Sequence, residues 1–362
     1  MSWKGSKMAT IRDVAQRAGV APSTVSYVLN GSRSISEETR RRVREAIDGL
    51  GYHPRASART LRSSRTSVIA LALPRAAGGL HAVDGRFAIE LSDAAHVLGY
   101  DLLLTTSQDK AEGLRRVALS GLADAAVLMA VDMEDARIDV VREVAFPAAL
   151  IGRPADEDAL PWTDLDWAEA AAMTVRALAA AGHRQMVYLA PARREVDSRR
   201  SYALRGIAGA RQGAAGTGCA VEVAHAVDDP ARMAALLREL FARHATERRP
   251  TALVVQHPSA HHHILTSMYA ATGLRVPEDL TMVVVGTLPG DPPSSVLPRV
   301  ELPVATLAAE VTRLAVAAAE ALRTPHAGTG EPDARLLAAS VGHLLIPPVL
   351  LPGSGPGLLP PG

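Results

Sequence analysis

Between Pro22 and Tyr27 the chain gathers the hydroxyls of Ser23, Thr24 and Ser26 and one phenol ring. Such groups can meet base edges, thymine methyls and phosphate oxygens. Neither Arg nor Gln stands in this run, so two-pronged readout of a base by one of its side chains is excluded. A second cluster is His257 with His261, His262 and His263. Imidazoles four residues apart on a helix can share a metal ion. This cluster holds no Cys or carboxylate, and Pro258 would begin the helix and leave His257 outside its spacing, so no metal is expected. Asp164-Leu-Asp166 lacks the Gly and closing Glu of a calcium loop. The chain contains no Gly-x-Ser-x-Gly elbow, no Gly-x-x-x-x-Gly-Lys-Ser/Thr loop and no His-Glu-x-x-His. Gly216-Thr-Gly218 does not join a strand to a helix as a dinucleotide turn requires. We therefore expect no enzyme and no cofactor.

The hydroxyl run needs a scaffold, and the flanking sequence supplies one. Thr10 with Asp13 three residues on reads as a helix start, followed by an apolar face of Ile11, Val14, Ala15 and Ala18 that Gly19 ends. Pro22 opens a second short helix with Val25, Val28 and Leu29 as its stripe, closed by Asn30-Gly31. Ser36 caps a third, with Glu37 and Glu38 in its first turn and Val43, Ala46, Ile47 and Leu50 facing inward. Two helices joined by a tight Gly-containing turn and backed by a third form a helix-turn-helix, whose second helix enters the major groove. Ser23 and Tyr27 then lie on the reading face.

Charge agrees with this division. Residues 1–66 hold 13 Lys+Arg against 5 Asp+Glu, net +8, while residues 67–362 hold 26 against 33, net −7, and the total is a formal +1. A basic unit fused to a larger acidic one fits a polyanion partner for the first alone. A length of 362 residues implies two or three domains. With 48% hydrophobic residues but only 3% aromatic, Ala must fill much of the core. The single Cys219 excludes an intrachain disulfide framework and fits a reducing compartment, so cytoplasm is the expected location. No apolar run reaches the roughly 18 residues of a membrane span.

The segment Ala9-Thr-Ile-Arg-Asp-Val-Ala-Gln-Arg-Ala-Gly-Val-Ala-Pro-Ser-Thr-Val-Ser-Tyr-Val-Leu-Asn-Gly31, with Ser36-Glu-Glu-Thr-Arg40 and Gly51-Tyr-His-Pro54, resembles the headpiece of the lactose-repressor and galactose-repressor family of bacterial transcription regulators. The resemblance runs through Leu61. It implies base reading by Pro22, Ser23 and Tyr27 and phosphate contacts by Thr10, Thr24, Ser26 and Asn30. Residues 54–61 correspond to the family's hinge helix, too short to be stable alone, which orders on operator DNA. Leu61 stands where the family wedges a Leu between base pairs in the minor groove, an act that unstacks and kinks the duplex. Arg59 suits a phosphate, and Arg55, where the family usually has Asn, suits a backbone contact.

From Ser67 apolar strands alternate with helices, which means parallel sheet. Val68–Leu73, Asp101–Thr105, Ala125–Ala130, Ala148–Ile151, Met186–Leu189, Leu253–Val255 and Met282–Val285 are the expected strands. The implied fold is a small all-α helix-turn-helix headpiece followed by an α/β two-lobed, periplasmic-binding-protein-like domain with doubly wound parallel sheets. The expected divisions are a tail over 1–8, the headpiece over 9–53, hinge and linker over 54–66, and the two-lobed domain over 67–346. Within that domain the first lobe takes 67–165 and 288–323, the second 166–287 and 324–346. Residues 347–362, rich in Pro, Gly and Leu, are expected to be disordered.

The family binds its effector between the lobes, where strand C-terminal ends face each other. Here the family's effector-holding Arg falls at Ala203, with Arg200 and Arg205 nearby. Thr287-Leu-Pro289 replaces its aromatic-and-Asp segment, Gln256-His257 its Asn-Asp, and Trp167 its Asn. These departures point away from a typical sugar pocket, toward an apolar ligand or none. The candidate effector residues are Trp162, Asp164, Asp166, Trp167, Arg205 and Gln256. The expected protein is a dimeric repressor on double-stranded, pseudo-palindromic operator DNA, with a homodimer partner, a small-molecule effector and no membrane. Its rivals are an effector-independent DNA-binding regulator and a cytoplasmic small-molecule binder or enzyme.

Overall fold

The computed structural model describes residues 9–30, 35–50, 65–74, 82–242, 249–256, 261–290, 296–323, 342–354 and 357–358. Two compact units divide between Thr66 and Ser67, where the charge changes sign.

The first unit is three helices, α1 (Ile11–Ala18), α2 (Pro22–Asn30) and α3 (Glu37–Leu50). Thr10 and Asp13 form a reciprocal capping box, and Gly19 ends α1 in the left-handed conformation at φ +63°. Ser36 Oγ accepts from Thr39 N at 3.3 Å at the start of α3. Val14, Ala15, Ala18, Val25, Val43 and Ala46 make the buried core. These are the apolar stripes read from the sequence, so the helix period alone fixes which face turns inward.

The second unit contains two six-stranded sheets. In chain order its elements are β1 (Val68–Pro74), α4 (Ala82–Val97), β2 (Asp101–Ser107), α5 (Lys110–Ser120), β3 (Ala125–Leu128), α6 (Ala136–Glu143), β4 (Ala148–Ile151) and β5 (Trp162–Leu165). There follow α7 (Trp167–Ala180), β6 (Gln185–Ala190), α8 (Arg193–Asp197), α9 (Ser201–Ala214), β7 (Ala220–His225), α10 (Pro230–Ala242), β8 (Ala252–Gln256) and α11 (His261–Thr272). The chain ends with β9 (Thr281–Thr287), β10 (Arg299–Glu301), α12 (Val304–Arg323), β11 (Leu344–Ile346) and β12 (Leu350–Leu351). The first sheet runs β11-β5-β4-β3-β1-β2 and the second β12-β10-β9-β8-β6-β7. Every pairing is parallel except β12 against β10. Central strands such as β8 and β9 are buried throughout, as parallel strands covered on both faces must be. Helices α7 and α9 pack at main-chain distance: a Cβ on Gly209 would lie 2.0 Å from Ala168 O.

Three divisions differ from those expected. β10 pairs with β9 and so stays in the second sheet; the chain returns to the first lobe only at Leu302–Val304, where α12 begins. β11 pairs with β5 in the first sheet, not the second. Residues 347–354 are ordered structure. Leu350 and Leu351 pair with Val300 and Arg299, Leu350 and Leu358 pack on the main core, and His183 bonds Leu358 O at 2.9 Å. The physical reason is shared: a sheet edge supplies unpaired main-chain groups, and a short apolar segment distant in sequence satisfies them. The tail over residues 1–8 lies outside the described residues. No described helix is long and apolar enough to cross a membrane.

Candidate functional site

Helix α2 presents Pro22 and Ser23 exposed and Thr24 and Tyr27 half-buried. Its first turn also offers main-chain N–H groups, which favour a phosphate. Ser26, expected at a phosphate, is turned inward and is only 6% exposed. Thr10 Oγ1 donates to Asp13 Oδ2 at 2.7 Å and accepts from Asp13 N, so this hydroxyl is engaged in capping. Asn30 ends α2, and its side chain lies outside the described residues, as do Arg55, Arg59, Leu61 and the rest of the hinge. His257 is likewise outside them, together with the side chains of His261–His263.

A cavity of about 130 Å³ opens where the strand ends of the two sheets face each other. Leu73, Met129, Ile151 and Asp164 line it from the first lobe, and Trp167, Glu195, Arg200 and Tyr202 from the second, with Phe87 and Leu307 adding apolar wall. Of the six candidate residues only Asp164 and Trp167 reach it. Trp162 instead stacks on His343 at 4.9 Å, its Nε1 donating to Glu157 O. Asp166 caps α7 by accepting from Glu169 N. Arg205 donates to the carbonyls of Arg153 and Pro154. Gln256 is fully buried, accepting from Tyr188 OH and donating to Tyr202 O. Asp84, Glu195, Ser201 and Tyr202 were not legible as lining residues, because they stand on two helix starts and a short helix that no local pattern ties to a cleft.

The cavity's polar groups are mostly engaged with one another. Trp167 Nε1 donates to Asp164 Oδ1 at 3.0 Å, and Arg153 N donates to its Oδ2 at 3.2 Å. Burial outweighs these donors and pushes the Asp164 carboxyl up to about 7. Tyr202 OH donates to Glu195 Oε2 at 2.6 Å; burial first, then the Glu195 charge, holds the phenol well above its ordinary range. Arg200 reaches across the cleft to Asp132 at 2.9 Å and donates to Ala130 O. Lys110 joins the same carboxylate. Around this pair the main chains zip together: Asp132 and Arg200 form an isolated antiparallel bridge, Met133 N donates to Arg199 O at 2.8 Å, and Ser201 N to Val131 O at 3.0 Å.

A trihelical unit with an exposed hydroxyl-bearing second helix, followed by two parallel-sheet lobes around a cavity, defines a helix-turn-helix protein with a two-lobed α/β body. Residues 10–55 match the model of bacterial regulatory proteins of the lacI family, and residues 175–340 match that of the periplasmic binding protein-like domain. The first unit is thus a headpiece of the lacI family of bacterial regulatory proteins.

Among relatives, catabolite control protein A of Priestia megaterium is 29% identical over 183 residues, covering 50% of this chain and 54% of its own. The HTH-type transcriptional repressor PurR of Pectobacterium atrosepticum is 35% identical over 164 residues, 45% of this chain and 44% of its own. The chain thus spans about half the length of the curated relatives it matches. Among solved structures, the lac repressor dimer bound to operator and the anti-inducer ONPF superposes with a TM-score of 0.76 at 20% identity, over 95% of this chain and 98% of that one. A transcriptional regulator CelR–cellobiose complex gives 0.62 at 23% identity over the same shares. These superpositions bear on fold alone.

Proposed function

We propose that this protein is a sequence-specific DNA-binding transcription regulator, a repressor acting in the cytoplasm as a dimer on a pseudo-palindromic operator. The observation that carries the proposal is α2 itself: Pro22 and Ser23 stand exposed at its start, within a segment of net charge +8. Pro22, Ser23 and Tyr27 read bases in the major groove, while Thr10, Thr24, Asn30, Arg55 and Arg59 hold phosphates. One headpiece covers only a few base pairs, so useful specificity requires two half-sites related by the protein's own two-fold axis. The paired hinge segments set Leu61 in the minor groove between them. An effector in the interlobe cavity shifts the lobes and alters operator affinity by about 1–3 kcal/mol of coupling. The decisive experiment is selection of bound fragments from a genomic library by the full chain at moderate salt. Enrichment of an inverted-repeat consensus is the expected result, and no enrichment above random fragments would defeat the proposal.

One observation favours a second reading, an effector-independent regulator. The lobes are joined directly through Arg200 and Asp132, a junction that needs no ligand as bridge. Retained repression in a strain grown across varied carbon and nitrogen sources would support it.

A further inference from the structure

Neither Arg153, which follows β4 in the first lobe, nor Arg205, on α9 in the second, lines the cavity. They nonetheless converge. Arg153 Nη1 lies 3.7 Å and Arg205 Nη2 3.5 Å from the same oxygen, Glu157 Oε1. A charge-assisted bond would close to roughly 2.7–2.9 Å, so both guanidiniums hold this oxygen loosely. Their side chains are 15% and 17% exposed, whereas that of Glu157 is 45% exposed, on a surface segment from which it can swing outward.

The donors of this pair are largely unspent. Arg153 donates no side-chain hydrogen bond among the described residues, and its Nε is buried without a partner. The Trp162 ring lies 5.7 Å from its guanidinium carbon, a contact that steadies the guanidinium and leaves its N–H edge to a ligand. Arg205 commits Nη2 to Arg153 O and Pro154 O and Nε to Ser201 Oγ, while nothing among the described residues accepts from its Nη1. Two like charges beside one exposed carboxylate are short of negative charge. Burial first, and then the Arg153 charge, hold the Arg205 guanidinium below its ordinary range. Asp164, whose Oδ2 accepts from Arg153 N, offsets this only in part, because its carboxyl titrates at about 7.

A carboxylate presents two acceptor oxygens and a phosphate three, with about −1.5 to −2 charge at pH 7. From the two converging guanidiniums, their unspent N–H groups and the loosely held Glu157 oxygen we infer that Arg153 and Arg205 form an anion seat for a phosphate group, either inorganic phosphate or a phosphate monoester, one oxygen replacing Glu157 Oε1. Because each lobe contributes one guanidinium, the bound phosphate ties the lobes together. The seat lies outside the cavity, so the inference goes beyond the effector reading and does not depend on it.

The test is calorimetric titration of the full chain, in a phosphate-free buffer at constant ionic strength, with inorganic phosphate, glycerol 3-phosphate and acetate. At least one of the phosphate probes is expected to saturate and to bind about tenfold or more tightly than acetate; the tighter of the two names the source of the group. Arg153→Gln and Arg205→Gln should each weaken it about tenfold or more, the usual loss of a charged hydrogen bond. Glu157→Gln should act oppositely and tighten it about threefold to fivefold, because it removes a competing charge worth one part-exposed ion pair. This exposed substitution keeps the inference falsifiable if either arginine variant fails to fold by circular dichroism. Phosphate binding that all three substitutions leave unchanged would place the anion on the basic headpiece and overturn the inference. No saturable binding, acetate binding as tightly as phosphate, or weaker binding by Glu157→Gln would each overturn it as well.

Discussion

Arg200 and Asp132 belong to different lobes, yet they form an ion pair at 2.9 Å and pair their main chains as an isolated antiparallel bridge. Both side chains are close to nine-tenths buried, so the contact is only weakly screened by salt. Arg200→Ala should leave each lobe folded and let them part. Small-angle scattering would register a larger radius of gyration, and cleavage after Arg199 by trypsin would quicken. An unchanged scattering profile would show that the neighbouring main-chain bonds hold the lobes unaided.

Arg137 is 1% exposed and is held by Asp135 at 2.7 Å, with further bonds to the carbonyls of Ala72 and Met129. It ties the end of β1 to the segment after β3. Burial would raise the Asp135 carboxyl, but the Arg137 guanidinium and main-chain donors overcome it and hold it down to about 2. The folded value lies below the unfolded one, so this stabilisation is present above about pH 4 and is lost as pH falls toward 2. Asp135→Ala leaves a buried guanidinium uncompensated and should cost about 3–5 kcal/mol. Urea denaturation at pH 7 measures it, and a loss below about 1 kcal/mol would mean that water reaches Arg137.

Asp164 works in the opposite sense. Its carboxyl titrates at about 7 in the fold and near 4 when unfolded. Between those values the folded chain keeps a proton that the unfolded chain releases, so stability falls as pH rises from about 4 to 7, by at most about 1.4 kcal/mol per pH unit. Asp164→Asn retains an acceptor for Trp167 and should flatten that slope. Denaturation midpoints at pH 5 and pH 7 provide the comparison; parallel pH profiles for the two proteins would contradict the assignment.

On DNA, Ser23→Ala and Tyr27→Ala should each relax preference at one or two operator positions by roughly 1–3 kcal/mol. Leu61→Ala should reduce operator bending and specific affinity while non-specific binding is nearly retained. Selected consensus sequences and circular-permutation mobility are the readouts. An unaltered consensus would remove Ser23 and Tyr27 from the reading set, and unaltered bending would remove the wedge.

The headpiece was legible almost residue by residue because its signals are local. Thr10 and Asp13 lie three residues apart, and Val14, Ala15 and Ala18 follow one helical stripe. Strands β8 and β9 were legible because burial on both faces makes them continuous apolar runs. β7, with an exposed first residue and half-buried followers, and the two- and three-residue strands β10, β11 and β12 carry no such run. Their pairing depends on which edge is free, a property of the assembled sheet. The cavity suffered the same limit. Trp162 and Gln256 looked like ligand contacts by residue type, but Trp162 is taken by His343 and Gln256 by two tyrosines. Glu195 and Arg200 gain their importance only when the second lobe meets the first.

Among the described residues the backbone passes between the sheets three times: after Leu165, between Glu301 and Val304, and between Ile346 and Leu350. Two strings let suspended weights twist and slide; three side by side act as the spine of a book. The covers can swing apart around that spine, but shearing one over the other would stretch at least one of the binding threads. Because the last thread is spun from residues near the carboxyl end, trimming the chain after Ile346 would loosen the binding itself, turning a guided swing into a wobble.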